Sequence, residues 1–481
     1  MSASERRPGA IPLLPTKQDR DRPLTFRWAA RDRDWSDALG LPAARRRNLA
    51  AARSAVLLSA IKAAAAGAKY ISYSRNHNFY DDAHRRYQGP TFTHANITGA
   101  VDQLAGAGLL ESQVSKRGEL GRQSRFRATA KLIDIAPDVP AVCMPHELIR
   151  LKDTSGRLID YLDTEETCRM RREIAAINEA LADITVELLH GGAVRQGPVI
   201  RLEDAILYPE MMSLWRVFGR GTFARHGRMY GGWWQNVPKD ARQSLRIEGE
   251  AVSEPDYRAH HCRICYVLAG LPEPNGDPHL ISGWDTPAGR ELCKSAFNIL
   301  INAVTPQKAL AALAKKIEGC KYVRAASREM ATAAIDAVRQ RHEPIASFFA
   351  NDSAMTLMRF DSEIAVQVVR KLLRRGIVAL PIHDSFIVQQ RHGGELRAAM
   401  DDAWATFRSG QIATAHQGYN GKASYRWVPS LAPTCPPGRP PYTVPGRAAW
   451  RPVSASIFQR RSSRKKFVTP ASAAACRRDA P

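Results

Sequence analysis

No stretch of the sequence approaches the eighteen or so consecutive apolar residues of a membrane span, so no spanning helix is expected. Behind Met1-Ser2-Ala3-Ser4-Glu5-Arg6-Arg7 there is no apolar core, so a secretory signal is not expected either. Zinc-site cysteine pairs are also missing. Of the eight cysteines only Cys262 and Cys265 stand at CxxC spacing, and no second pair follows at zinc-site distance. Both sit in or beside the apolar run Ile264-Cys265-Tyr266-Val267-Leu268, so they read as core thiols. Scattered cysteines of this kind suit a reducing cytoplasm. No internal repeat at solenoid periods is present. Acidic residues are scarce: 47 Asp and Glu face 70 Lys and Arg, a formal charge of +23. Such a field favours a polyanion, and nucleic acid is the usual one, although basic tails supply part of the excess.

At 481 residues and 44% hydrophobic, the chain is too long for one core and suggests two or three domains. Residues 1–47 are rich in Arg, Asp and Pro without a sustained period, and read as a flexible basic leader. Residues 48–135 hold an Ala-rich helix over 48–66, then a helix that Thr93 caps, with Ile97, Val101 and Leu104 on its apolar face. Two strands follow, Leu109–Val114 and Ser124–Thr129, joined by a basic glycine-containing turn. Helix and hairpin together resemble a winged helix, which sets a helix in the DNA major groove and a basic wing on the phosphates. That resemblance implies DNA contacts from Thr91, His94, Asn96 and Thr98 on the helix, and from Lys116, Arg117, Arg122 and Arg125 on the wing. Many winged helices bind protein instead. Residues 136–204 read as a proline-bearing linker (Pro137, Pro140, Pro145) and a helix over 163–190 whose Met170, Ile174, Ile177, Leu181, Ile184 and Leu188 suit docking more than chemistry. Residues 429–481, in which Pro433, Pro436, Pro437, Pro440 and Pro441 give way to Arg460, Arg461, Arg464, Lys465 and Lys466, read as a disordered basic tail.

Three stretches within 205–428 carry chemistry. Leu380-Pro381-Ile382-His383-Asp384-Ser385-Phe386-Ile387-Val388 is an apolar run, a polar tip and a second apolar run, which reads as strand, tight turn, strand. A carboxylate on such a turn is held in one direction, as a metal ligand must be, although Asp at a hairpin turn is also ordinary turn chemistry. Upstream, the strand-like Arg246–Ser253 leads to Asp256 at a strand-to-helix transition. Two carboxylates on adjacent strands can hold a pair of Mg²⁺ ions roughly 3.5–4 Å apart. Between them, Thr286 and Pro287 start a helix on which Arg290, Lys294, Asn298 and Asn302 form one polar stripe. Two cations four residues apart suit a triphosphate, and equally suit a solvated face.

In order, these stretches resemble the palm and fingers of the family-A DNA polymerases and their relatives, the phage-type single-subunit RNA polymerases. Asp256-Tyr257 through Arg263 looks like the first motif, Arg290 through Ala303 the second, and His383-Asp384 the third, whose continuation Ser385-Phe386 is closer to the RNA polymerase form. The resemblance covers about 205 to 395. It implies an α+β fold, a polymerase-like palm and fingers built on an antiparallel sheet with helices. It also implies metal-binding aspartates at Asp256 and Asp384, nucleotide phosphates on Arg290 and Lys294, and His383 near the primer end. The chain departs from the pattern at His261, Asn298, Asn302 and Ala303, where the family has a glutamate, an aromatic, a tyrosine and a glycine. The nucleotide pocket implied by the resemblance is therefore more polar than the family's. Expected partners are DNA and nucleoside triphosphates, with Mg²⁺ as cofactor and no membrane, in replication of a plasmid, phage or other mobile element in the cytoplasm. The alternatives are an RNA-making, primase-like enzyme of the same class, and a non-catalytic DNA-binding protein with a relic palm.

Overall fold

The computed structural model describes residues 21–417, apart from 26–27, 31–38, 42–45, 81, 116–122, 136–140, 144 and 320–324; these all belong to one unit, Met1–Leu431. The 429–481 tail lies outside the described residues.

Thr93 accepts the Asn96 N–H at 3.3 Å and caps the helix His94–Gly106. Ile97, Ala100, Val101 and Leu104 recur every three or four residues and are fully buried against the Ala-rich helix Arg47–Ala65. Gly108, at φ +71°, turns the chain into Leu110–Gln113, which pairs antiparallel with Ser124–Ala128. Ile71–Tyr73 and Arg22–Pro23 complete a four-stranded sheet in the order 22–23, 71–73, 124–128, 110–113.

The leader expected over 1–47 is not wholly flexible. Arg22–Pro23 joins that sheet, and Trp28–Ala30 pairs with Ala141–Cys143, inside the stretch expected to be linker. The physical reason lies in a few apolar residues among the charges. Leu24, Trp28, Leu39 and Leu41 are buried, and the Lys62 ammonium sits 4.3 Å over the Trp28 ring. Two- and three-residue strands leave no period for a sequence pattern to register.

The helix expected over 163–190 is shorter, Glu165–Ala182, with Thr164 and Thr167 capping one another reciprocally. Leu188 belongs instead to the strand Val186–Leu188, where β-branched Thr185 and Val186 favour extension. That strand is the edge of a five-stranded antiparallel sheet: 380–382, 385–389, 250–253, 245–247, 186–188. The helix Ala354–Leu373 packs against the hairpin strand Thr222–Tyr230, whose partner is Trp215–Gly219. The helices Pro287–Asn302, Pro306–Glu318 and Ala325–Arg341 pack on one another. The fold is α+β with mainly antiparallel sheets. Among the described residues no helix is long and apolar enough to cross a membrane.

A charged group locks the long helix to the hairpin. Arg216, fully buried, donates to Gly227 O (2.7 Å), Ser362 Oγ (2.9 Å) and Glu363 Oε1 (2.6 Å). Arg359 joins the same Glu363 carboxylate and also donates to Phe223 O. Burial alone would push the Glu363 carboxyl up, but the Arg216 and Arg359 guanidiniums outweigh it and hold it down to about 2. Its folded pKa is thus below the ordinary value of about 4.3, so the stabilisation is present above that value and is lost as pH falls toward about 2. Glu363→Gln leaves buried cations short of a counter-charge and should cost about 3–5 kcal/mol at pH 7, with less acid sensitivity below pH 4 than the wild type. Thermal unfolding across pH checks this, and an unchanged melting temperature at pH 7 would contradict it.

Candidate active site

The strands Leu380–Ile382 and Ser385–Gln389 pair with Ile382 opposite Ser385, which leaves His383-Asp384 as a two-residue turn. Leu380, Phe386, Ile387 and Val388 are fully buried and anchor both arms. Ile377-Val378-Ala379, just before the first arm, is not paired. His383 has φ +59°, a left-handed conformation that costs a non-glycine residue roughly 1–2 kcal/mol. Trp234 Nε1 and Gln235 Nε2 both donate to Pro381 O (3.1 and 3.0 Å) and brace the arm from behind. The turn that carries Asp384 is therefore held on three sides.

Asp256 lies beside this turn. It forms an antiparallel bridge with Ser385, the Tyr257 N–H donates to Asp384 O (3.2 Å), and the Phe386 N–H donates to Pro255 O (3.3 Å). Residues directly opposite in an antiparallel pair have Cα atoms about 4.5–5.5 Å apart, so Asp256 is within one residue of Asp384 across the ladder. Asp256 is exposed and Asp384 half-buried. Among the described residues no group of three or more His, Cys, Asp or Glu side chains converges as a metal site. Mg²⁺ asks less of a protein: one or two carboxylates, with water and substrate phosphates completing the shell. The donor chemistry of Asp256 and Asp384 fits that requirement.

Beneath the turn is a buried polar cluster that sequence reading did not find. Asp361, 1% exposed on the helix Ala354–Leu373, receives Arg228 through Nε (2.7 Å) and Nη2 (2.5 Å). His261 Nε2 stands 3.7 Å from the same carboxylate and 3.3 Å from Arg228 Nη2. His260 Nδ1 is 3.3 Å from the other carboxylate oxygen but off the line of a hydrogen bond. Burial would push the Asp361 carboxyl up; the His260 and His261 rings and the Arg228 guanidinium outweigh it and hold it well below the usual range. Burial, then Arg228, lowers His383. A signal was available: Asp361 interrupts a helix otherwise apolar on that side (Phe360, Ile364, Ala365), and a buried carboxylate requires a cation.

Thr286 caps the helix Pro287–Asn302 by accepting the Gly289 N–H, with Pro287 in its first turn. Cys293, Ala296, Phe297, Leu300 and Ile301 face inward, while Asn298 and Asn302 are exposed and Arg290 and Lys294 half-exposed. The stripe faces solvent, with Arg290 paired to Asp277 (2.6 Å), Lys294 to Glu291 (3.4 Å), and Asn302 Nδ2 donating to Asn298 O. Among the described residues no hydrogen bond or ion pair joins it to Asp256 or Asp384. The helix Pro287–Asn302 is tied to the helix His260–Leu268 through His342. The Phe297 ring lies 5.4 Å from His342, whose Nδ1 is 3.1 Å from the Tyr266 hydroxyl on the helix His260–Leu268. Burial lowers His342 to about 4, so it is neutral there.

The residues expected to read DNA are locally engaged. His94 Nε2 is 3.0 Å from Arg75 O, Asn96 Nδ2 donates to Thr91 O, and Thr98 Oγ1 donates to His94 O. Arg125 pairs with Asp21 (3.3 Å) and stacks 4.1 Å over Tyr70. Lys116, Arg117 and Arg122 lie outside the described residues.

Compared with known proteins, the chain matches no family model, and no curated protein matches it.

Cys262 and Cys265 are buried in the helix His260–Leu268, and burial pushes the Cys262 thiol up to about 12 and Cys265 well above its ordinary value. Both should resist alkylation at pH 8 in the native protein and react after unfolding; native labelling at either, located by mass spectrometry, would contradict their placement.

Proposed function

We propose that this chain is a template-directed nucleotidyltransferase, a winged-helix DNA-binding module over 48–135 joined to a reduced family-A-like polymerase palm and fingers over 205–428. The observation that carries the reading is the backbone bridge of Asp256 to Ser385, with Tyr257 N–H on Asp384 O, because it joins the first and third motifs across about 130 residues of chain. In this reading Asp256 and Asp384 hold Mg²⁺, which when bound offsets charge on the attacking and leaving oxygens of phosphoryl transfer.

The chain's own residues then position the reactants. Arg290 and Lys294 exchange Asp277 and Glu291 for the nucleotide's phosphates. Solvent-exposed ion pairs are worth about 0–1 kcal/mol, so the exchange costs little. Asn298, Asn302 and His261 make the polar wall of the nucleotide pocket, and His383 stands beside the primer end on its strained turn. Little covalent chemistry is asked of the protein, so orientation and charge carry the rate. A basic DNA-binding module beside such a site suits replication of a plasmid, phage or other mobile element in the cytoplasm.

Primer extension with Mg²⁺, with dNTPs and NTPs in parallel, is the test. Extension by the wild type should fall about 10³-fold or more in Asp384→Ala and in Asp256→Ala, a loss near 4 kcal/mol of transition-state stabilisation. Use of NTPs in preference would move the reading to a primase-like enzyme. The solvent-facing stripe of Arg290, Lys294, Asn298 and Asn302, which among the described residues no hydrogen bond joins to Asp256 or Asp384, favours the second reading, a non-catalytic DNA-binding protein; no incorporation on any primed template, with DNA binding intact, would support it.

A further inference from the structure

Two buried polar clusters stand on one helix. At Glu363, Arg216 donates from Nε and Nη2 to Gly227 O, Ser362 and Glu363 and leaves Nη1 over, and Arg359 adds a second cation to that carboxylate. Around Asp361 more such atoms gather: Asp361 Oδ1 and His260 Nδ1 face one another at 3.3 Å outside hydrogen-bond geometry, and the buried His260 Nε2 and His383 Nδ1 have no hydrogen-bond partner. Each such atom costs free energy, about 1–3 kcal/mol, so a region selected only for stability would not gather them. A buried ion pair is also weak support for stability, since apolar residues of similar size often serve as well.

Placement supplies the other half of the argument. Arg228 and Tyr230 are two residues apart on one strand and so point to one face of it. From that face Arg228 reaches Asp361 and His261, and the Tyr230 ring meets the His383 ring edge-on at 5.6 Å. His226, stacked on Tyr230 at 5.7 Å, closes the row. One carboxylate therefore sets the orientation of a guanidinium and a ring directly under the turn that bears Asp384.

We infer that Asp361 is a positioning residue for this site: it fixes Arg228 and His261 beneath the His383-Asp384 turn, and turnover depends on that fixed arrangement. The inference rests on the nucleotidyl-transfer reading. A cation held rigidly in a water-poor site opposes accumulating negative charge at no reorganisation cost, whereas a loose one must be reordered at each turnover.

The experiment compares full-length wild type, Asp361→Asn, Arg228→Gln and the double variant by thermal unfolding and by steady-state primer extension with Mg²⁺. Asp361→Asn strands the Arg228 charge and should lower both the melting temperature and kcat. The double variant removes both charges and should regain the melting temperature. Its kcat should stay about 10- to 100-fold down, the loss typical of removing a supporting partner, with the KM for nucleotide little changed. A merely structural pair gives a different result, a double variant that regains both stability and kcat, and that overturns the inference. So does wild-type kcat in Asp361→Asn, or failure of both Asp361 variants to fold. A wild type that extends no primer overturns the nucleotidyl-transfer reading and this inference together; an active wild type with an equally active double variant overturns this inference alone.

Discussion

Two backbone hydrogen bonds set the geometry on which the rest depends: Tyr257 N–H to Asp384 O, and Phe386 N–H to Pro255 O. They close a loop of about 130 residues, and loop closure of that length is entropically unfavourable without strong local compensation. The compensation is visible on both sides. The hairpin arms are buried, Pro381 O is held by Trp234 and Gln235, and the helix that follows Asp256 buries Cys262, Ile264 and Cys265. With those anchors in place the two aspartates have little choice of position. The intervening chain is free to build the Pro287–Asn302, Pro306–Glu318 and Ala325–Arg341 helices.

Below that ladder the interior is not uniformly apolar. The helix Ala354–Leu373 carries Arg359, Asp361 and Glu363 into it, and the hairpin strands answer with Arg216 and Arg228. Opposite charges on two elements distant in sequence fix register as well as energy, because a slip would strand a charge away from water. The Glu363 end, with two guanidiniums on one carboxylate, reads as a clamp. The Asp361 end lies at the turn with Asp384, so the same helix serves packing at one end and that turn at the other.

Much of this was legible locally. Thr93 and Thr286 announce helix starts because a hydroxyl before an apolar period has one obvious use. The hairpin over 380–389 is readable because β-branched and apolar arms flank a polar pair. The burial of Cys262 and Cys265 follows from their apolar neighbours. Arg228 was not legible in the same way: it looks like an ordinary surface charge until Asp361, over 130 residues away, is brought beside it. The strands Arg22–Pro23 and Trp28–Ala30 escaped for a different reason, being too short to show alternation and embedded among charges. The stripe from Arg290 to Asn302 was legible as a face. Its solvent exposure and its pairing with Asp277 and Glu291 depend on neighbours that periodicity does not reveal.

The central claim is that Asp256 and Asp384 together hold the divalent ions of a two-metal site. It is tested most directly by anomalous diffraction from crystals of the protein with primer–template DNA, a non-hydrolysable nucleotide and Mn²⁺ in place of Mg²⁺. The expected result is a Mn²⁺ peak bonded to both carboxylates at about 2.0–2.3 Å, with a nucleotide phosphate completing its shell. Nucleotide or Mn²⁺ bound elsewhere, with the two carboxylates turned apart, would contradict the claim.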